Sequence, residues 1–542
     1  MYARDDRLVG WQIYFGFISL FVGLLMGLLQ AVDRVNIDLY SSVGLQSYWQ
    51  GLTLHGVLNV LVFTFAFNAG FLTYVTSRSL ERPMAVHALT QAQFWLMLVG
   101  VVLAGFAILT NSATVLFTFY PPLKGDPLFY LGLALVVVST WCTLANIALT
   151  VRAWRADHPG QKVPLQAFMS LVTYIMWVLC SVGVAAEVLV LILPWTLGLV
   201  DKIDPELSRT LFWLSGHAIV YFWLLPVYIS WYTMLPKQAG GKLHNDPMAR
   251  FVFLLFLVLS IPVGLHHQYT DPGVPVIYKY IQATLTFAVF FPSVITAFSV
   301  IAALENAGRA RGGTGLLGWV FKLPWGDPSV AAQLVGGLAF LAGGISGLVN
   351  ASYNINQVVH NTAFVPGHFH LTVGTAVTLS IMGIMYWLLP ALTGRKLWGR
   401  RVAQANVWLW AVGVAIMSRG MSSAGIEGEP RRFYASAAAY HLPAWDFPNL
   451  LQAVGGTLMF LGGLCFFIVL VGTMFFSRER EEPKPMPNVD VVVTAEQGAL
   501  IYTDRLGAWI GFALVLILIA YGPFLVSYLA NPAFVARGLR AW

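Results

Sequence analysis

The chemistry in this chain rests with its histidines. Of the eleven, six stand inside apolar surroundings: His55, His217, His266, His267, His368 and His370. Neutral imidazole is a ligand suited to haem iron and to copper. His266 and His267 are adjacent at the end of an apolar run, so both reach one ion if the last helical turn loosens. His217, on the preceding run, supplies a third nitrogen, giving a three-imidazole copper site with an open position. His368 and His370 are two residues apart, which on a helix turns them about 200° from each other. They therefore serve two different irons. His55 completes the axial pair of the iron bound by His370, leaving that iron six-coordinate and suited to electron transfer. The iron on His368 keeps one face open. His87, His158, His244 and His441 fall in polar loops and read as solvated surface.

Such ligands need rigid elements to carry them, and composition says which kind. Hydrophobic residues make up 58% of the 542 and charged residues only 10%, against about 25% charged in soluble domains. This is a membrane composition. Apolar runs long enough to cross about 30 Å of hydrocarbon start near Trp11, Leu52, Phe94, Leu128, Phe168, Thr210, Phe251, Ile281, Ala331, His368, Asn406, Leu450 and Ala508. The expected fold is an all-α integral membrane bundle of about thirteen transmembrane helices, one domain over residues 1–542. The charged stretch Met1–Gly10 leads straight into the first run without a small-residue cleavage site, so that run is expected to stay. The polar insert from Ser477 to Arg505 reads as a loop between the last two spans.

Most of the 31 Lys and Arg fall at the N-terminus or in the loops after even-numbered spans, including Arg78, Arg82, Arg152, Lys162, Arg395 and Lys396. The positive-inside rule then puts the N-terminus in the cytoplasm and the C-terminus outside. The basic surplus reports topology and gives no reason to expect nucleic acid. With spans oriented this way, the six histidines on four helices arrive at one depth, in the outer third of the membrane. Ionisable residues at membrane depth are costly and mark function. Cys142, Cys180 and Cys465 lie singly in apolar runs and are expected to be buried, with no disulfide and no thiolate site.

The motifs HAIVY (His217–Tyr221), His266–His267 and PGHFH (Pro366–His370), with QGLTLHG around His55 and FYPPLKG at Phe119–Gly125, resemble the signatures of haem–copper oxidase subunit I along the whole chain. Within that superfamily the chain is most similar to bacterial B-type cytochrome c oxidases. The resemblance implies reduction of dioxygen to water in the bacterial inner membrane, coupled to proton uptake and pumping. It implies low-spin haem b on His55 and His370, a high-spin haem, of a-type, on His368, and copper B on His217, His266 and His267. It implies that Tyr221, on the helix face of His217, is covalently joined to that histidine and gives an electron and a proton for O–O cleavage. Tyr228 and Tyr232 continue inward from Tyr221, and Ser293, Thr296 and Ser299 share a face of span 8. These two hydroxyl stripes are similar to the single proton channel of B-type enzymes. His360, Arg431 and Arg432 are candidates for holding haem propionates.

Two positions depart from the pattern. Ile219 stands where A-type enzymes carry a glutamate, so their acidic channel is not expected. Asn356 stands where an acid is expected in B-type relatives. Glu187, inside span 5, has no role that the sequence assigns. The chain has no paired cysteines for a dicopper centre, so a second subunit must carry it if cytochrome c is the donor, and a quinol is the donor otherwise. A nitric oxide reductase of the same superfamily is the nearest rival, disfavoured by Tyr221 and Ile219. A transporter would favour broken helices and inverted repeats over histidines at one depth.

Overall fold

A computed structural model describes residues 3–481, 486–487, 490–493, 502–530 and 536–538. Long helices dominate. Among the described residues, eleven are long and apolar enough to cross a membrane, from Arg4–Asp33 to Leu506–Ala530. The two remaining expected spans are helices that fall short of that measure. Asp246–Leu259 has 14 residues, about 21 Å of rise, and its outward continuation is an irregular turn. Arg400–Ile426 has the length, but Gln404, Asn406 and Arg419 dilute its apolar character. Among the described residues, strands form two short pairings, Lys202–Ile203 with Ala536–Arg537 and Leu243–Asn245 with Val491–Val493.

Helix starts follow a repeated signal. Asp126, Asp204 and Asp327 each precede a proline at the first helical position and accept from backbone N–H groups of the first turn. A carboxylate cap satisfies orphan donors and proline is pre-set for the helical φ. The closest helix pairs meet through glycine. A Cβ on Gly100 would lie 2.5 Å from the Gly132 carbonyl, and one on Gly413 would lie 2.7 Å from the Gly455 carbonyl. Small residues let backbones approach where lipid offers no hydrophobic drive.

The cysteine expectation holds in one case of three. Cys180 is buried, whereas Cys142 and Cys465 are partly exposed on their helices. Apolar surroundings in sequence do not separate a lipid-facing flank from the protein interior.

Candidate metal centre

The histidine-bearing helices are irregular where the ligands sit. His55 closes the helix Tyr48–Gly56, and a π-helical segment, Val57–Phe63, follows at once. His368 and His370 lie in Phe364–Leu371, followed by the π-helical segment Thr372–Val377. π-Segments recur at functional sites. His217 falls between the helices Pro205–Gly216 and Ala218–Thr233. The turn carrying His266 and His267 has loosened into a 3-10 turn, Gly264–Gln268. Neighbouring side chains satisfy its backbone: Gly264 N donates to Tyr521 Oη at 2.8 Å and Leu265 N donates to Gln282 Oε1 at 2.7 Å. Gly264 itself is pressed on Trp213, whose carbonyl oxygen leaves no room for a Cβ.

Two groups of imidazoles result. His217, His266 and His267 each bring a nitrogen within 4.8 Å of the others. His217 Nδ1 and His267 Nε2 are 3.3 Å apart. Two nitrogens bound at about 2 Å to one ion in a roughly tetrahedral array stand about 3.3 Å apart, so this spacing fits a shared ion. His267 stacks on Trp213, ring centres 3.6 Å apart and planes 7° from parallel. His217 Nε2 faces Tyr221 Oη at 3.4 Å.

The second group is the pair His55 and His370, with ring centres 6.2 Å apart and planes 19° from parallel. An iron about 2 Å from each axial nitrogen, with each nitrogen roughly 1 Å from its ring centre, sets such rings about 6 Å apart. The Nδ1 atoms are spoken for by backbone: His55 bonds Gly23 O at 2.8 Å and His370 bonds Pro366 O at 2.7 Å. An Nδ1–H donated to a carbonyl fixes the tautomer and leaves Nε2 free for a metal. His368 is held alike, its Nδ1 3.0 Å from Gly343 O and 2.9 Å from Ser346 Oγ. It turns towards the Pro328–Ala351 helix, away from the His55–His370 pair. A Cβ on Gly347 would come within 3.2 Å of its ring.

A cavity of about 410 Å³ joins the groups; His55, His370, His267, Ile219, Arg431 and Arg432 are among its lining residues. Neither arginine has a carboxylate partner among the described residues; Arg432 donates to Thr118 Oγ1 at 3.0 Å and lies over the Tyr120 ring. Burial, and then Arg431, pulls Arg432 down to about 9. His360 Nδ1 donates to Asn356 Oδ1 at 3.0 Å, while its Nε2 is buried without a partner. Burial and the nearby Arg431 and Arg209 pull this imidazole down to about 4. A pair of arginines without carboxylate partners, lining an apolar cavity, fits the carboxylates of a haem.

Of the hydroxyl stripes, Tyr232 Oη donates to Thr296 Oγ1 at 3.1 Å. Ser299, also close to Tyr232, points its Oγ at Met248 Sδ at 3.4 Å. Tyr228 is near Ser293 and Thr296 yet makes no hydrogen bond of good geometry. No hydrogen bond links Tyr221 to Tyr228 among the described residues. Glu187 is fully buried and accepts from Ser208 Oγ at 2.6 Å.

The residues that anchor the ligands, namely Thr286, Ser346, Trp213, Gln282 and Tyr521, are absent from the sequence reading. Trp213 was open to discovery, since it lies one helical turn before His217. The others have no local signal.

Residues 7–458 match the family described as Cytochrome C and Quinol oxidase polypeptide I. The chain is 46% identical over 541 residues to a cytochrome c oxidase subunit 1 of Thermus thermophilus, covering 97% of this chain and 95% of the relative. It is 28% identical over 462 residues to that of Corynebacterium diphtheriae, covering 80% and 76%. Its fold is similar to that of a haem–copper terminal oxidase dimer solved by cryo-EM, with a TM-score of 0.94 at 36% identity, covering all of this chain and 96% of the other.

Proposed function

This chain belongs to the Cytochrome C and Quinol oxidase polypeptide I family, and from that premise we propose that it is the catalytic subunit of a membrane cytochrome c oxidase of the B-type. The observation that carries the reading is the convergence of His217, His266 and His267 beside a cavity bounded by the facing pair His55 and His370. His55 and His370 hold a low-spin haem b, His368 a high-spin haem of a-type, and His217, His266 and His267 copper B. When bound, these groups supply the electrons and the oxygen-binding site for reduction of dioxygen to water. Residues 1–542 act as one domain with thirteen crossings, the N-terminus cytoplasmic and the C-terminus periplasmic.

The protein's own part is positioning and proton supply. Backbone carbonyls fix the haem-ligating imidazoles, so the Nε2 lone pairs are left free for iron without reorganisation. Arg431, Arg432 and His360 bind the propionates. Tyr221, joined to His217, gives up the proton on Oη. Tyr228, Tyr232, Ser293, Thr296 and Ser299 return one from the cytoplasmic side, the step from Tyr228 to Tyr221 passing through water. Cytochrome c donates electrons through a second subunit bearing a dicopper centre, a role that fits a chain whose three cysteines are separate.

Pyridine haemochrome and metal analysis of the purified complex tests this reading, with two haems and one copper expected per subunit I beyond the partner's dicopper centre. His217→Ala and Tyr221→Phe each abolish oxygen consumption, and His55→Ala removes the low-spin haem signal. Full oxygen consumption by the Tyr221→Phe complex overturns the role given to that phenol. Turnover on quinol but not on cytochrome c assigns the other donor.

A further inference from the structure

Glu206 is used by nothing above, yet it lies one bond away from the copper turn. Its carboxyl is buried, 7% exposed, in the first turn of the Pro205–Gly216 helix. The groups around it come from four elements: Asp204 and Arg209 from its own helix start, Asp271 from the loop after the His266–His267 turn, Lys279 from the Val276–Ala310 helix, and Tyr528 from the Leu506–Ala530 helix. The two cations are engaged elsewhere. Arg209 pairs with Asp271 at 3.1 Å. Lys279 Nζ donates to the carbonyls of Tyr269 at 2.7 Å and Asp271 at 2.8 Å. Asp204 caps the helix through Oδ1, and its Oδ2 is buried without a partner.

What remains for Glu206 is Gln268, the residue after His267. Gln268 is fully buried, and its Nε2 donates to Glu206 Oε1 at 2.8 Å and to Thr210 Oγ1 at 3.2 Å. Its Oε1 is buried without a partner, as is Tyr528 Oη. A buried amide with one half satisfied and the other idle is costly. The idle half is the acceptor. An ionised Glu206 suits the orientation seen, since it accepts from Nε2–H. With its proton on the oxygen that faces Gln268, Glu206 would set O–H against that same N–H, donor against donor, and a half-turn of the amide would bring the idle Oε1 of Gln268 to the acid's proton. The neighbouring Asp271 carboxyl is held above the usual range by burial, with Arg209 pulling the other way.

We propose that Glu206 is a positioning residue for the copper site, whose gain or loss of a proton reverses its hydrogen bond with Gln268 and so shifts the His266–His267 turn. The proton moves between Glu206 and water or Asp271, and no bond other than O–H is made or broken. The proposal rests on reading His266 and His267 as copper ligands. It adds that the copper site registers the charge of a carboxyl that touches neither metal nor oxygen.

The test uses the whole complex, reduced under carbon monoxide, with infrared detection of carbon monoxide on copper across about pH 6 to 9. The wild-type stretch is expected to shift with pH, together with a carboxylic C=O band that appears as pH falls. Glu206→Gln should lose both the pH dependence and the C=O band. Glu206→Asp, which keeps the ionisable group, should restore a pH-dependent stretch, and a merely structural role for Glu206 would not do so. A copper-bound stretch that moves with pH identically in wild type and Glu206→Gln overturns the proposal while leaving the copper reading intact, and so does a stretch that is pH-independent in wild type. Absence of any copper-bound carbon monoxide in a metal-replete complex overturns the copper reading, and this inference with it.

Discussion

Thr286 decides which nitrogen of His266 faces the copper. Its hydroxyl has one hydrogen, and that hydrogen goes to Gln282 O at 2.6 Å. At 3.0 Å from His266 Nδ1, Oγ1 therefore acts as acceptor, so Nδ1 carries the proton and Nε2 carries the lone pair. Thr286→Val keeps the side-chain shape and removes the acceptor. A buried donor left unsatisfied costs about 1–3 kcal/mol, and about 1.4 kcal/mol is a factor of ten, so copper affinity should fall roughly 5- to 150-fold. Outer partners of metal ligands lose about 10- to 100-fold on mutation, a compatible range. The Val263 carbonyl also lies close to this ring and takes up part of the bond, which places the expected loss near the lower end, about tenfold. Copper retained against a competing chelator, read by metal analysis of the purified complex, measures it. Haem absorption is the internal control and should not change. Thr286→Ser should recover most of the affinity. Wild-type copper retention in Thr286→Val refutes the tautomer argument, as does loss of haem and copper in equal measure.

Gly27 lies against His55, and a Cβ there would stand 2.8 Å from the ring's Cε1; Gly27→Val should displace the imidazole and remove the low-spin haem band at unchanged copper content, and a retained bis-imidazole spectrum would count against the assignment. Tyr232→Phe breaks the bond to Thr296 and should slow turnover about tenfold or more, read as proton uptake by a pH-sensitive dye; uptake at the wild-type rate would remove Tyr232 from the path. Arg432→Gln removes one of two cations that lack carboxylate partners, and should speed haem loss to an acceptor protein by about tenfold. Because burial and Arg431 pull Arg432 down to about 9, below its unfolded value, the charge opposes folding of the haem-free chain at neutral pH. That penalty falls as pH rises above about 9 and towards the unfolded value, so the haem-free chain should gain stability there. Bound propionates should remove the effect, and a haem-free unfolding midpoint that does not rise above this pH would contradict the burial of the guanidinium.

Much of the site was legible because it is written in residue type. Histidine is rare inside apolar runs, and the two-residue step from His368 to His370 already requires opposite faces. The structure sends one ring to Gly343 and the other to the His55 side. The helix count was less legible. A 14-residue helix such as Asp246–Leu259 relies on an irregular continuation through Gly264–Gln268, and hydropathy reads only regular spans. The anchoring groups were not legible at all. Thr286 and Ser346 look like any hydroxyl on a membrane helix, and such groups often bond only to their own backbone. Thr286 does so through its hydrogen, and only the three-dimensional neighbour reveals the second use of its oxygen. The same holds for Glu206, which reads as a helix-start acid until Gln268 is seen beside it.

The two kinds of ligand are held by different means, and this has a consequence for assembly. Each haem-facing imidazole bonds a backbone carbonyl: Gly23 for His55, Pro366 for His370, Gly343 for His368. Backbone carbonyls of packed helices do not move independently, so these rings are set by the fold. His217 has no such bond among the described residues, and its nearest polar atoms are His267 Nε2 and Tyr221 Oη. His267 is held by the face of Trp213, which constrains tilt more than rotation within the plane. Three ring nitrogens turned on one another bring together more lone pairs than one shared hydrogen can meet, and a cation between them resolves that at once. The haem positions are therefore expected to exist before haem arrives, whereas the copper position takes its final form only with the ion. Loading copper should tighten protection of the Gly264–Gln268 backbone in hydrogen exchange, at fixed haem content, and leave Phe364–Leu371 unchanged. Equal change in both segments would mean that one rigid body carries all six rings.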